Sequence, residues 1–333
     1  MGRRKSETGG SRPDDLGPRK VERLALLADI AQALLVEGIT QHEAAARFRL
    51  SRPSISRLLN EAKELGVVKI EIRRVLQNHA GLEEALARKF GIAKAHVNWV
   101  ANVAPRNVTE QYIHFAVEYL YEQFFPGAIV GITLGKTLGQ VIAQLSNREP
   151  VDLSIVQLCG SVGSTGEFLD SHALVEALAN AYGAKAKYLH APYGVESETV
   201  CDILNDSPAN REAITLGRDA DIALFGVGTM DPRTASLVQG NHISKKLLKS
   251  LLNLNAIGDV AGFFLTSDGE YIEADRIGFW KTGVSFADFR KIRRRIAIAT
   301  GTHKVDIMRA AMKAGLVTEL ITDHPTANAL LQA

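Results

Sequence analysis

"TQHEAAARFRLSRPSISRLLNEAKELG", residues 40–66, holds two short helical patterns separated by a tight break. Thr40 is placed to cap the first, with Glu43 three residues on as the other half of a capping box. Ala44 and Ala45 are small enough for a second helix to approach closely. Phe48 closes this helix, and Arg49–Leu50 make the break. Ser51 is a second N-cap, and Pro53 sits in the first turn, where a missing N–H costs little. Ile55, Leu58, Leu59, Ala62 and Leu65 recur at helical spacing and predict a buried face, ended by Gly66. The opposite face carries Arg52, Ser54, Ser56 and Arg57 in the first two turns. In a helix-turn-helix this end meets base edges in the major groove. Arginine pairs bidentately with guanine, serine and threonine hydroxyls reach bases or phosphates, and the helix N-terminus favours an anion. A helical hairpin with a solvated Arg/Ser face would share the apolar spacing. Two caps, a tight break, a small residue at the crossing and an acid-free leading face favour the DNA reader. One position departs from such motifs: their turn usually carries glycine, and here Arg49 stands in it. If it needs positive φ, the strain is about 1 kcal/mol.

Working outward, Leu24, Leu27, Ile30, Ala31, Leu34 and Leu35 predict a first helix within residues 21–38, stopped at Gly38. "VVKIEIRR", residues 67–74, alternates apolar and charged residues and reads as a strand, the wing of a winged helix. "GLEEALARKFG", residues 81–91, reads as a linking helix. Residues 1–20 are rich in Gly, Ser, Pro and mixed charge and read as a disordered leader, without the apolar core of a secretory signal.

The chain has 333 residues, 46% of them apolar, enough for a small module and a larger domain. No run approaches 20 apolar residues, so no membrane span is expected. Cys159 and Cys201 lie far apart and make neither a disulfide framework nor a metal spacing. His172, His190, His242 and His303 are scattered without ligand pairing, so no metal or cofactor is expected. The reading is of a reduced, cytoplasmic protein. Residues 1–75 hold 15 Lys+Arg against 10 Asp+Glu, net +5, and the remainder 24 against 27, net −3. A mildly basic module on a mildly acidic body suits a DNA reader joined to a sensor.

Beyond the linking helix, apolar strands alternate with amphipathic helices, the pattern of a mostly parallel α/β sheet. Strands are expected near residues 95–100, 128–133, 153–158, 186–189, 222–227, 257–264, 296–299 and 318–321. Such sheets bind ligands outside the carboxyl ends of their strands. "IVGITLGKTLGQV", residues 129–141, runs a strand into Gly135, Lys136 and Thr137 and then a helix, so amides, a hydroxyl and an ammonium converge on an anion. The spacing is not that of a Walker A loop. "IAIATGTHKVDIM", from Ile296, repeats the arrangement at Gly301–Lys304. Two such turns would clasp the ends of one small anionic ligand, although each also fits an ordinary βα turn. "LCGSVGSTGEF", from Leu158, is a Gly/Ser loop carrying Gly160 and Ser161, and "FGVGTMDP", from Phe225, is another. Asp259 sits inside an apolar run, placed to bind sugar hydroxyls or to tie down a turn. The basic run at Lys291–Arg295 reads as a solvated face or a subunit contact.

At this point the chain resembles the SorC (DeoR/SorC type) family of bacterial sugar-responsive transcriptional regulators. The resemblance rests on the helix-turn-helix, on "VGITLGKTL", "IGDVAGFF" and "ATGTHKVDIMRAAMKAGLVTELITDHPTANALL", and covers nearly everything after about residue 20. It implies a winged helix-turn-helix over 21–75, a linker helix over 76–95, and over 96–333 a Rossmann-like α/β effector domain of the phosphosugar-isomerase fold. It implies homo-oligomers, usually tetramers, with operator DNA and a sugar, polyol or sugar-phosphate effector as partners. DNA contacts are expected from Thr40, Gln41, Ser51, Arg52, Ser54, Ser56 and Arg57. Effector contacts are expected from Gly135, Lys136, Thr137, Gly160, Ser161, Asp259 and Lys304. Some members form an imine between a lysine and an aldehyde sugar, a role open to Lys136, which can equally serve as a counter-charge. The competing function is a phosphosugar isomerase, which needs a carboxylate base beside the anion loops. Asp259 and Asp323 are the candidates.

Overall fold

The computed structural model describes residues 18–68, 80–99, 105–145, 149–163 and 170–333. The expected wing, apart from Val67 and Val68, lies outside them, as do residues 1–17 of the expected leader and the 158–168 loop beyond Gly163. The chain divides into two compact units, residues 1–75 and 76–333.

The first unit has helices α1 (Pro18–Leu35), α2 (Gln41–Phe48) and α3 (Arg52–Glu64). Helix α1 begins three residues before the expected start, with Pro18 at its first position, where its fixed φ suits the turn. Leu27, Ile30 and Ala31 meet Ala44 of α2 and Ile55, Leu58 and Ala62 of α3 in one buried cluster. Leu65, expected on this buried face, is instead the C-cap of α3 and 58% exposed, because the helix ends before it turns inward. Glu43 accepts from the Thr40 N–H at 2.7 Å while the Glu43 N–H donates to the Thr40 hydroxyl at 3.2 Å, completing the capping box. Arg49 has φ 54° and ψ 43°, the left-handed geometry its turn requires.

The second unit opens with α4 (Ala80–Phe90), β1 (Lys94–Asn98), α5 (Pro105–Tyr121), β2 (Ile129–Ile132), α6 (Lys136–Gln144), β3 (Ser154–Gln157), α7 (Ser171–Tyr182) and β4 (Lys185–Lys187). It continues through β5 (Gly194–Val195), α8 (Glu198–Asp206), α9 (Pro208–Arg218), β6 (Ile222–Phe225), β7 (Val227–Thr229), α10 (Ser236–Gln239), α11 (Lys245–Asn253), β8 (Ala256–Val260) and β9 (Phe263–Thr266). It ends with α12 (Ala274–Ile277), β10 (Trp280–Lys281), α13 (Phe286–Phe289), β11 (Arg294–Ile298), α14 (Val305–Lys313), β12 (Glu319–Asp323) and α15 (His324–Gln332).

Seven strands form one parallel sheet in the order β1-β12-β11-β6-β2-β3-β4. The chain moves outward from β2 to β3 and β4, then returns to the other flank of β2 with β6 and β11. Strand order therefore reverses between β2 and β6, the switch point where open α/β sheets leave a crevice. Helices cover both faces, so each strand feeds two clusters: Ala223, Phe225, Ala297 and Ala299 enter one, and Ile222, Leu224, Ile296 and Ile298 the other. That two-sided burial is why the strands read as continuous apolar runs.

Three further differences from the sequence reading lie in the second unit. The helix expected as a linker, α4, belongs to the core of the second unit: Leu86 is fully buried there, with Leu82, Ala87 and Phe90 packed alongside. Lys89 Nζ also donates to the Leu331 carbonyl at the end of α15, at 2.8 Å. The apolar run 257–264, expected as one strand, is the hairpin β8–β9, turning at Ala261 (φ 53°) and Gly262 (φ 86°). It pairs with β7 in a small antiparallel sheet beside the main one. Helices α8 and α9 were not expected, although Ser197 and Ser207 precede them and Pro208 opens the second.

Candidate functional site

On the first unit, the Ser51 hydroxyl accepts from the Ser54 N–H at 3.3 Å and shares a 2.8 Å hydrogen bond with the Ser54 hydroxyl. This fixes the N-terminus of α3 and the residues on its leading face. Arg52 and Arg57 are exposed, as are Thr40, Gln41 and Ser51, while Ser54 and Ser56 are half-buried. Two other arginines of the unit are already committed. Arg23 grips Glu61 with two hydrogen bonds of 2.6 and 3.1 Å, tying α1 to α3, and Arg47 pairs with Glu37 at 2.5 Å. Among the described residues neither Arg52 nor Arg57 makes an ion pair, so both guanidinium forks stay available to an outside anion.

On the second unit, a cleft of about 490 Å³, counting its open mouth, lies at the switch point. The turn after β2 brings Leu134, Gly135, Lys136 and Thr137 to it, and the turn after β6 brings Gly226, Val227 and Gly228. The two turns touch: a Cβ on Gly135, whose φ is 156°, would lie 3.4 Å from the Gly226 Cα. No side chain caps α6. Its first turn, with Lys136 and Thr137, lines the cleft, and an uncapped helix N-terminus of this kind suits an anion.

Asp259 and Lys304 complete the lining from β8 and from the 3-10 turn Thr302–Lys304, with Thr234, Ser236 and Leu237 on the remaining side. Asp259 is only 6% exposed. Burial pushes its carboxyl up to about 6, against the opposing pull of the Lys304 ammonium. Burial lowers the Lys304 ammonium below the usual lysine range, and Asp259 opposes that shift. The antiparallel pair β7–β8 sets Gly228 opposite Asp259, and a Cβ on Gly228 would sit 2.3 Å from the carboxylate. Glycine there leaves room for the carboxylate to stand in the cleft. Asp259 thus lines the pocket from β8, just before the β8–β9 turn.

The structure therefore brings Gly135, Lys136, Thr137, Asp259 and Lys304 to one cleft. It sets Gly160 and Ser161 apart from that lining. The Gly160 Cα is pressed against the Pro192 carbonyl and the Thr282 hydroxyl, where a Cβ would collide at 2.1 and 2.4 Å. The Ser161 hydroxyl donates to Asp170 at 2.6 Å. These two residues stabilise the packing of their loop. Asp323 is also elsewhere: it caps α15 by accepting from the Thr326 N–H at 2.9 Å, and it accepts from the Thr300 hydroxyl. Asp259 is the one acidic residue among those lining the cleft. Lys136 is exposed, the setting of a counter-charge rather than of a desolvated nucleophile. Of the lining residues missed in the sequence, Gly226 and Gly228 stand in a Gly-rich strand end that was visible, whereas Thr234 and Ser236 carry no local signal. Among the described residues no cluster of three metal-ligating side chains occurs, and no helix is long and apolar enough to cross a membrane.

Residues 75–332 match the Sugar-bind family, a sugar-binding domain. Over 310 residues, 93% of this chain and 98% of the relative, the sequence is 28% identical to a deoxyribonucleoside regulator of Bacillus subtilis (strain 168). Over 307 residues, 92% of each, it is 27% identical to the transcriptional regulator LsrR of Enterobacter sp. (strain 638). The solved structure of the full-length sorbitol operon regulator SorC from Klebsiella pneumoniae is similar with a TM-score of 0.71, at 22% identity, covering 92% of this chain and 98% of that one. At that identity the likeness is one of fold.

Proposed function

The chain belongs to the SorC/DeoR family of sugar-binding transcriptional regulators, and from that premise we propose how its residues carry the work. Helix α3 enters the major groove of an operator, with Arg52 and Arg57 on base edges or phosphates and Ser54 and Ser56 beside them. Thr40, Gln41 and Ser51 reach the backbone from the two helix N-termini. The cleft between β2 and β6 takes the effector, a sugar, polyol or sugar phosphate. Its anionic end rests on the first turn of α6 and on Lys136 and Lys304, and its hydroxyls on Asp259, Thr234 and Ser236. The observation that carries this reading is the convergence at one switch point of an uncapped helix N-terminus, two lysines and a buried carboxylate.

An isomerase is not favoured. Its chemistry needs an acid and a base placed about the substrate; the cleft offers one carboxylate, and that of Asp323 is taken up by α15. We propose a homo-oligomer, since two α3 helices related by a two-fold axis match an operator with paired half-sites. Effector binding then changes operator affinity only through contacts that differ between two arrangements of the assembly.

Thermal unfolding against a panel of sugars, polyols and their phosphates tests the cleft. The relative named a deoxyribonucleoside regulator puts deoxyribose derivatives on the panel. A ligand at 100 times its Kd stabilises the native state by about 2.7 kcal/mol. The expected result is a shift with phosphorylated members that Lys304→Ala abolishes while operator binding survives. A shift confined to unphosphorylated members, or one that Lys304→Ala leaves intact, rejects the phosphate assignment.

A further inference from the structure

Behind the β8–β9 hairpin stands a tyrosine with a hydroxyl that the fold does not use. Tyr193 is 4% exposed, and its hydroxyl has no hydrogen-bond partner among the described residues. A buried hydroxyl left unpaired is rare and costs stability. It lies against Gly262: a Cβ on that glycine would be 3.2 Å from the ring edge and 3.3 Å from the hydroxyl. The same glycine closes the β8–β9 turn three residues after Asp259. One short turn therefore links an unused donor to the acidic group of the cleft. Tyr193 also packs in the apolar cluster that holds Leu134 and Leu237, two residues that line the cleft.

The neighbours of this pair do not compete for the role. In the cleft, Asp259 is faced by Lys304, with Lys136 on the opposite turn. On the far side, Tyr193 is faced by Asp259, Cys159 and Tyr271, and burial raises all three of the acids Tyr193, Cys159 and Tyr271, keeping them neutral. The stem of Lys281 packs on Gly262, but its ammonium donates to the carbonyls of Val284 at 2.9 Å and Thr282 at 3.3 Å and lies 4.7 Å from the centre of the Phe263 ring. Tyr193 is left as a neutral donor within the field of the Asp259 carboxylate, in a medium of low dielectric where an O–H···O⁻ bond is strong.

Resting on the effector reading of the cleft, we propose that Tyr193 is a positioning residue: when effector binds, its hydroxyl donates to the Asp259 carboxylate and fixes it as the acceptor for an effector hydroxyl. No bond is made or broken in this step; a donor unpaired in the free protein acquires its acceptor in the complex. The cleft thereby favours ligands that present a hydroxyl to Asp259, and it discriminates against their deoxy analogues.

Tyr193→Phe tests this in the full chain by two readouts. The first needs no ligand. If the hydroxyl is unpaired in the free protein, the variant unfolds at the same temperature as the wild type or higher; a loss of stability shows a partner already present and overturns the proposal. The second is calorimetric titration from pH 5 to 8 with ribose 5-phosphate, 2-deoxyribose 5-phosphate, glucose 6-phosphate and sorbitol 6-phosphate. With the Tyr193 donor the bound carboxylate stays ionised, so wild-type affinity is full above about pH 6 and falls below it. The variant is expected to bind about tenfold more weakly at pH 7.5, the scale of one hydrogen bond to a charged group, and to show a shallower fall on acidification. Unchanged affinity, or a weaker affinity with the same pH slope, reduces Tyr193 to packing and overturns the proposal. If the wild type binds none of the four, the effector reading falls and this proposal with it; if it binds and the variant matches it, the proposal falls alone.

Discussion

Asp259 shows how one residue's environment becomes a measurable property of the protein. Its carboxyl has an ordinary value of 3.8 and is raised by burial to about 6. As pH rises from about 4 to 6 the unfolded chain gives up the Asp259 proton while the folded chain keeps it, so this residue's contribution to stability falls across that window and then stays level. A shift of this size corresponds to about 2 to 3 kcal/mol. Chemical denaturation of Asp259→Asn is expected to lack this fall when compared with the wild type from pH 4 to 7. A variant that loses stability over the window just as the wild type does would show that Asp259 is not buried as described. Asp259 was visible in the sequence as a charge within an apolar run, but its neighbours were not. The contact with Gly228 comes from the pairing of β7 with β8, and local pattern carries no record of which strands pair.

Arg49, by contrast, was marked in the sequence as the residue in a turn that usually carries glycine, and the structure shows it in the left-handed conformation such a turn uses. The same holds for the other local devices of the first unit: the capping box of α2, the Ser51 cap of α3 and Ala44 at the crossing all follow from near neighbours in sequence. Elements went unread where the governing contact is remote. Helix α4 looked like a linker because its amphipathic face does not say which surface will cover it. The β8–β9 hairpin was hidden because alanine and glycine occupy a turn for which Asn-Gly is the usual signal. At this scale α3 makes its own prediction. Arg52→Ala and Arg57→Ala should each cost about 1 to 3 kcal/mol of operator affinity if the side chain reads a base. If it meets only a phosphate, the effect should be uniform across sequences, with a shallower salt dependence. Fluorescence anisotropy at several salt concentrations distinguishes the two, and an unchanged affinity removes that residue from the reading face.

At the scale of the molecule, alternating apolar strands and amphipathic helices predicted a parallel α/β sheet, and seven parallel strands are found. The order of those strands was not predictable, yet it is what makes the site. Order reverses between β2 and β6, and the turns after these strands, which touch at Gly135 and Gly226, border a crevice, with Lys304 and Asp259 delivered from segments more than 100 residues beyond Lys136 in sequence. The sequence singled out the turns at Gly135–Thr137 and Gly301–Lys304, and the fold accounts for Lys304 meeting the first of them at one cleft. Gly160 and Ser161 show the limit of that reasoning: a Gly/Ser loop at a strand end looks the same whether it cradles a ligand or allows close packing. Under the proposed function, ligand in this cleft controls the hold of α3 on DNA. The most direct measurement is the affinity of the full-length protein for duplexes it selects from a random pool, with and without each sugar phosphate that raises its thermal stability. At least one such ligand is expected to change operator affinity by about 5-fold or more, the usual range of coupling between sites, and to be recovered unaltered. A ligand that binds the cleft and leaves operator affinity unchanged, or that is converted to an isomer, would contradict the proposed function.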